Sequence, residues 1–231
     1  MRTVHRLCIA AVTALLLIAQ AQAFGLADLS NKDAASGLKE ALIKGSQEAV
    51  TLLAKQNGFL GNERVRIPLP ESLQKIEGML RAFGMGKYAD ELVTTMNRAA
   101  ETAVVEAKPL LVNAVKGMSV QDAKGILTGG DDAATQYFRR STSAALSARF
   151  LPIVTKATQK VKLADKYNEF AGKGAKLGLI DKKDADLNSY VTQKALDGLF
   201  LMIADEEKKI RKDPLGSASS IISKVFGALG K

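Results

Sequence analysis

Cysteine and histidine occur once each in the 231 residues, as Cys8 and His5, and tryptophan does not occur at all. Both single residues fall in a short leader with the three parts of an export signal. Arg2, His5 and Arg6 form a basic head, Leu7 to Ala19 an apolar core, and Ala21-Gln22-Ala23 the small residues a signal peptidase reads. Cleavage after Ala23 is expected, with residues 24–231 as the mature chain. The apolar core is shorter than the roughly 20 residues a membrane span needs. Cys8 lies inside that core and not directly after the cleavage point, which argues against a lipoprotein.

Loss of residues 1–23 therefore leaves a chain with neither cysteine nor histidine. It can form no disulfide, although a periplasmic location would permit one. It cannot build a Cys–His nucleophile, a Ser–His–Asp triad, a His-ligated zinc site or a His-ligated haem. What remains is carboxylate, Lys, Tyr, Ser/Thr or oxygen-ligated metal chemistry, or none. Runs of five like charges are also absent, and no aromatic ladder is available to stack bases. The net charge of +9, which becomes +7 without Arg2 and Arg6, thus reads as solvated surface or attraction to anionic lipid, not as a nucleic-acid footprint.

Alternating β-branched runs are scarce, whereas apolar residues recur at helical spacing. Leu38, Leu42, Gly45, Ala49 and Leu53 line a first helix opened by Ser30 or Asn31; Leu73, Ile76, Leu80 and Phe83 line a second. Tyr88, Leu92, Met96, Ala99 and Ala103 begin a third, which should kink or break before Pro109. Ser119 with Asp122 reads as a cap over Ile126 and Leu127. A long helix carries Phe138, Ala145, Leu146, Arg149, Ile153, Val154, Ala157 and Val161, and Pro152 should bend or split it. Tyr167, Phe170 and Ala171 mark another, ending in the glycine-rich segment 172–178. The segment from Leu187 to Ile210 is apolar nearly all round between Ala195 and Ala204, as a buried central helix should be. Pro214 closes it, and Leu215, Ala218, Ile222, Val225 and Leu229 line a final amphipathic helix that could dock on the core or meet a membrane surface. Val65 to Pro70, with Pro68 and Pro70, is the one extended arm. The pattern predicts a single all-α domain of about eight helices with this arm.

Several residues could carry function. Thr128-Gly129-Gly130-Asp131-Asp132 could hold a hard divalent cation. It reads equally as a helix stop, with Gly129 left-handed and Asp131 or Asp132 capping the next helix. Arg139 and Arg140 could clamp a phosphate or carboxylate. Arg98 and Glu101, three residues apart, could pair on the surface or line a cleft between helices. Asp197 lies within the apolar Ala195–Ile203 stretch, where a charge is costly unless paired; it is either ion-paired or a carboxylate at a site. Gly198 beside it would admit a close neighbour.

Five strings together carry a resemblance: Ser36-Gly-Leu-Lys-Glu-Ala-Leu, Gly58-Phe-Leu-Gly-Asn with Ile67-Pro-Leu-Pro-Glu-Ser-Leu, Met96-Asn-Arg-Ala-Ala-Glu, Gly129-Gly-Asp-Asp-Ala-Ala-Thr-Gln-Tyr-Phe and Ala195-Leu-Asp-Gly-Leu-Phe. The mature chain resembles an uncharacterised family of exported helical bacterial proteins, the domain of unknown function numbered 4197. The resemblance implies an exported helical domain and no activity. The expectation is a periplasmic, non-catalytic binding or scaffold protein for an apolar or amphipathic, lipid-like ligand or an envelope protein, needing no cofactor. A carboxylate or divalent-metal enzyme using Asp131 and Asp132, and peripheral membrane contact through the last helix, are the alternatives.

Overall fold

A computed structural model describes residues 31–84, 86–176 and 186–213. Eight α-helices follow one another among these residues: α1 (Asn31–Ala54), α2 (Glu71–Ala82), α3 (Gly86–Ala103), α4 (Ala107–Lys116), α5 (Val120–Leu127), α6 (Ala133–Thr158), α7 (Lys162–Lys176) and α8 (Leu187–Lys212). No strand occurs among the described residues, and the fold is all-α. The expected export signal, the end of the glycine-rich segment and the expected final amphipathic helix lie outside them.

Helix α8 is the central element and packs on both α6 and α1; α6 also packs on α3. Leu196, Leu199, Phe200, Met202 and Ile203 are buried on several sides of α8. Phe59, Phe138, Phe150 and Phe200 are fully enclosed, each gaining about 2–3 kcal/mol from leaving water. In α1, Leu38, Leu42, Ala49 and Leu53 are buried as their spacing requires. In α2 Leu73 is buried, whereas Phe83 at its end is 74% exposed.

Two prolines act differently. Pro109 is the third residue of α4, where its missing N–H would have lacked an intrahelical partner anyway. The chain reaches it through a 3-10 turn at Val104–Glu106, the expected break. Pro152, by contrast, does not split α6. It faces solvent, as does Ala148 one turn earlier, so the carbonyl it leaves unpaired remains open to water.

The buried face of α6 also differs from the expected stripe. Phe138, Thr142, Leu146, Phe150, Val154 and Thr158 are buried at intervals of four, whereas Ala145 and Arg149 are exposed. Each four-residue step overshoots a full turn by about 40°, so the buried row winds around the helix as its neighbours change. Tyr88, expected on the apolar face of α3, is likewise exposed, while Leu92, Met96, Ala99 and Ala103 are buried.

Candidate functional site

The segment between α1 and α2 turns at Asn57, whose φ is 68°, and runs extended from Arg66 to Pro70. Two residues of α3, one helical turn apart, hold it. Asn97 is fully buried and acts like a strand neighbour: its Oδ1 accepts from the Ile67 amide at 2.9 Å and its Nδ2 donates to the Ile67 carbonyl at 2.9 Å. Glu101 accepts from the amides of Phe59 (3.1 Å) and Leu60 (3.2 Å), and from Arg98 Nη1 at 2.6 Å. Arg98 also donates to Asn57 Oδ1 at 2.8 Å. Arg98 and Glu101 therefore do pair, but not as a surface pair, because the Glu101 side chain is only 6% exposed.

Asp131 and Asp132 are exposed, and Asp132 precedes α6 without a side-chain cap. It accepts instead from Gln136 Nε2 at 2.9 Å. The cap comes from far along the chain. Glu207 on α8 accepts from the amides of Ala134 and Thr135 (both 2.9 Å), from the Thr135 hydroxyl (2.8 Å) and from Arg211 Nη2 (2.8 Å). A buried anion thus meets the positive end of the α6 dipole. Gly129 is not left-handed, since Asn57 and Gly84 are the positive-φ residues among those described. It is required for space: a Cβ there would lie 2.7 Å from Ala133 Cβ and from the Gly125 carbonyl oxygen. Among the described residues no group of three or more His, Cys, Asp or Glu side chains is placed to hold a metal ion.

Asp197 corrects the expectation of a charge inside the core. Its side chain is 46% exposed, on the side of the Ala195–Ile203 segment where Leu201, one turn on, is also only partly buried. It accepts from Gln193 Nε2 at 3.0 Å and pairs with Arg139 Nη1 at 3.4 Å. Arg139 lies over the Phe200 ring at 4.6 Å. Arg140 points elsewhere, so the two arginines form no common clamp. It is exposed, and its charge makes the smallest contribution to holding the Asp122 carboxyl below its usual range; the Ser119 hydroxyl and amide make the larger ones. Gly198 admits the arm: a Cβ there would lie 2.8 Å from Phe59 Cε1 and 3.2 Å from Val65 Cβ.

Two of the concavities among the described residues involve these side chains. Asp197 lines a cleft of about 580 Å³ between the arm, the start of α2, the middle of α6 and the first half of α8. A groove of about 490 Å³ lies between α3 and the C-terminal end of α6. Its floor is apolar, made by Ala99, Ile153, Ala157 and Val161; Arg98, Lys156 and Lys160 stand around it with Thr94, Thr95 and Thr102. Glu91 is the one acid in the lining. Residues 133–164 contain six basic and no acidic residues. Of these Arg149, Lys156 and Lys160 are exposed, and Lys156 and Lys160 line the groove. Sequence reasoning found Arg98 but neither the groove nor Lys156 and Lys160. The lack of acids from 133 to 164 was the available signal.

No curated protein and no solved structure matches the chain. Over residues 28–227, which include every described helix, the chain matches the family described as Protein of unknown function (DUF4197), and it belongs to that family.

Proposed function

We propose that the chain is an exported, non-catalytic binding protein of the periplasm, whose α3–α6 groove takes an amphipathic ligand with an anionic head. The observation that carries the reading is the pairing of an apolar floor with cations that have no acid partner. Lys156 and Lys160 make no ion pair among the described residues, and both border the groove. An acyl chain along Ala99, Ile153, Ala157 and Val161 would leave water, while a carboxylate or phosphate head meets the two ammonium groups. The volume of about 490 Å³ lies within the range of about 300–1,000 Å³ usual for small-molecule sites. Export rests on the leader at residues 1–23. A metal-dependent reading through Asp131 and Asp132 gains nothing from the geometry, because both carboxylates stand in solvent at a turn.

The test is native mass spectrometry of the mature chain, purified gently from its own envelope, followed by displacement of a fluorescent long-chain carboxylate. A bound anionic amphiphile, lost on solvent extraction, is expected. The double variant Lys156→Gln/Lys160→Gln should weaken probe binding about tenfold, or about 1.4 kcal/mol. Ala157→Trp should fill the floor and abolish binding, and both variants should keep the parental melting temperature. A clean unliganded mass, together with a probe that binds both variants like the parent, would sink the proposal.

A further inference from the structure

We infer that the tip of the α2–α3 hairpin is a membrane-contact site, made to seat in the headgroup layer of an anionic bilayer. Helix α2 packs chiefly on α3. Its beginning is anchored by the buried Leu73, but its end stands in the open: a Cβ added at Gly78 or Gly84 would meet nothing within 4 Å. The apolar side chains there face water. Phe83 is 74% exposed, Met79 one turn before it 61%, and Tyr88 at the start of α3 42%. Phe83 and Met79 are the two most exposed large apolar side chains among the described residues. Such a contiguous patch, unlike a lone exposed apolar residue, marks a contact surface.

The exposure is built, not frayed. The Phe83 amide donates to the Met79 carbonyl at 3.0 Å, and Gly84, with φ of 72°, stops the helix in the left-handed conformation. Directly behind, Arg81 clasps the two helices: its Nη2 donates to Glu77 Oε1 and to Asp90 Oδ1, both at 2.7 Å. Charge then selects the partner. No acid occurs from Gly78 to Ala89, and the flanking Glu77 and Asp90 are both taken by Arg81. Lys75 and Lys87 are exposed and make no ion pair among the described residues, and Lys87 Nζ lies 5.1 Å from the centre of the Tyr88 ring. Aromatic rings beside lysines are the side chains that settle at a headgroup boundary. Area argues against a protein partner. The three apolar side chains offer on the order of 300–400 Å², well short of the about 800 Å² a side that stable protein interfaces bury. A bilayer needs no complementary surface, because it closes around a convex tip. None of the three lines the α3–α6 groove.

The chain has no tryptophan, so Phe83→Trp places a single fluorescent reporter at the tip. Its emission should move to the blue on adding vesicles of mixed phosphatidylethanolamine and phosphatidylglycerol. Val105→Trp, at a 52% exposed position beyond the other end of α3, should show no such move. In co-sedimentation of the mature chain with these vesicles, Met79→Ser/Phe83→Ser should weaken binding about tenfold. Its melting temperature should match the parent, because neither side chain is packed. Lys75→Gln/Lys87→Gln should weaken binding as well, as should exchange of phosphatidylglycerol for phosphatidylcholine. Equal sedimentation of the parent and Met79→Ser/Phe83→Ser overturns the inference, and so does Phe83→Trp emission that vesicles leave unmoved. A blue shift that arises without vesicles and grows with protein concentration also overturns it, since the tip then meets a second copy of the chain.

Discussion

Glu101 and Glu207 share one local design. Each is a buried carboxylate that accepts from two consecutive backbone amides, and each is neutralised by an arginine within one turn of its own helix. Removing the carboxylate would strand those amides and leave the arginine without its partner. Glu207→Ala is therefore expected to cost about 3 kcal/mol, read as a lower urea midpoint with unchanged slope. A midpoint equal to the parent would show that the α6 terminus is satisfied by other means. Glu101 was singled out in the sequence with Arg98, one turn from Asn97, but its burial against the Phe59 and Leu60 amides was not legible there. Glu207 was hidden in Asp205-Glu206-Glu207-Lys208-Lys209, which looks like solvated surface. Asp131 and Asp132 misled for the converse reason. Local sequence shows only local partners, and the true cap arrives from more than 70 residues away.

At the scale of elements, period and punctuation revealed where the helices lie and where α4 begins. They did not reveal which face of α6 turns inward, because its buried row winds with the four-residue step. Nor did they reveal that Asp197 sits at the edge of the central helix, since an apolar segment looks the same from every side. Gly198 is the element-scale test. The ring that a new Cβ would strike belongs to Phe59, which is fully buried and has no room to move aside. Gly198→Ala should cost about 1–3 kcal/mol through overpacking. That exceeds the gain of up to about 1 kcal/mol in helix propensity. Gly78→Ala, also within a helix but with nothing inside 4 Å of the added Cβ, should instead stabilise by about 0.5–1 kcal/mol. Thermal melts of the two variants should move in opposite directions. If both rise, the arm does not press on α8.

For the whole molecule, the helix count was legible and the helix partners were not. Both concavities join elements far apart in the chain, α3 with the end of α6 and the arm with α8, so no string of adjacent residues encodes either one. The same long reach governs stability. Helix α1 packs on α8, Gly45 brings α1 close to Ile210, and Arg64 is bonded to Asp205. Amides of α1 and α8 should therefore exchange with solvent only on global unfolding, with the same free energy. Hydrogen exchange giving α1 a distinctly lower value would divide the core into separate cooperative units.

Head-to-tail closure also has a consequence for biosynthesis. At ribosomal speed roughly 10–30 s separate the emergence of α1 from that of α8. Throughout that interval the part of the first helix that receives α8 stays uncovered, although α3, α4 and α5 emerge during it to pack on the rest. The nascent polypeptide thus carries an open apolar seam, exposed to proteases and to chaperones, until α8 is delivered.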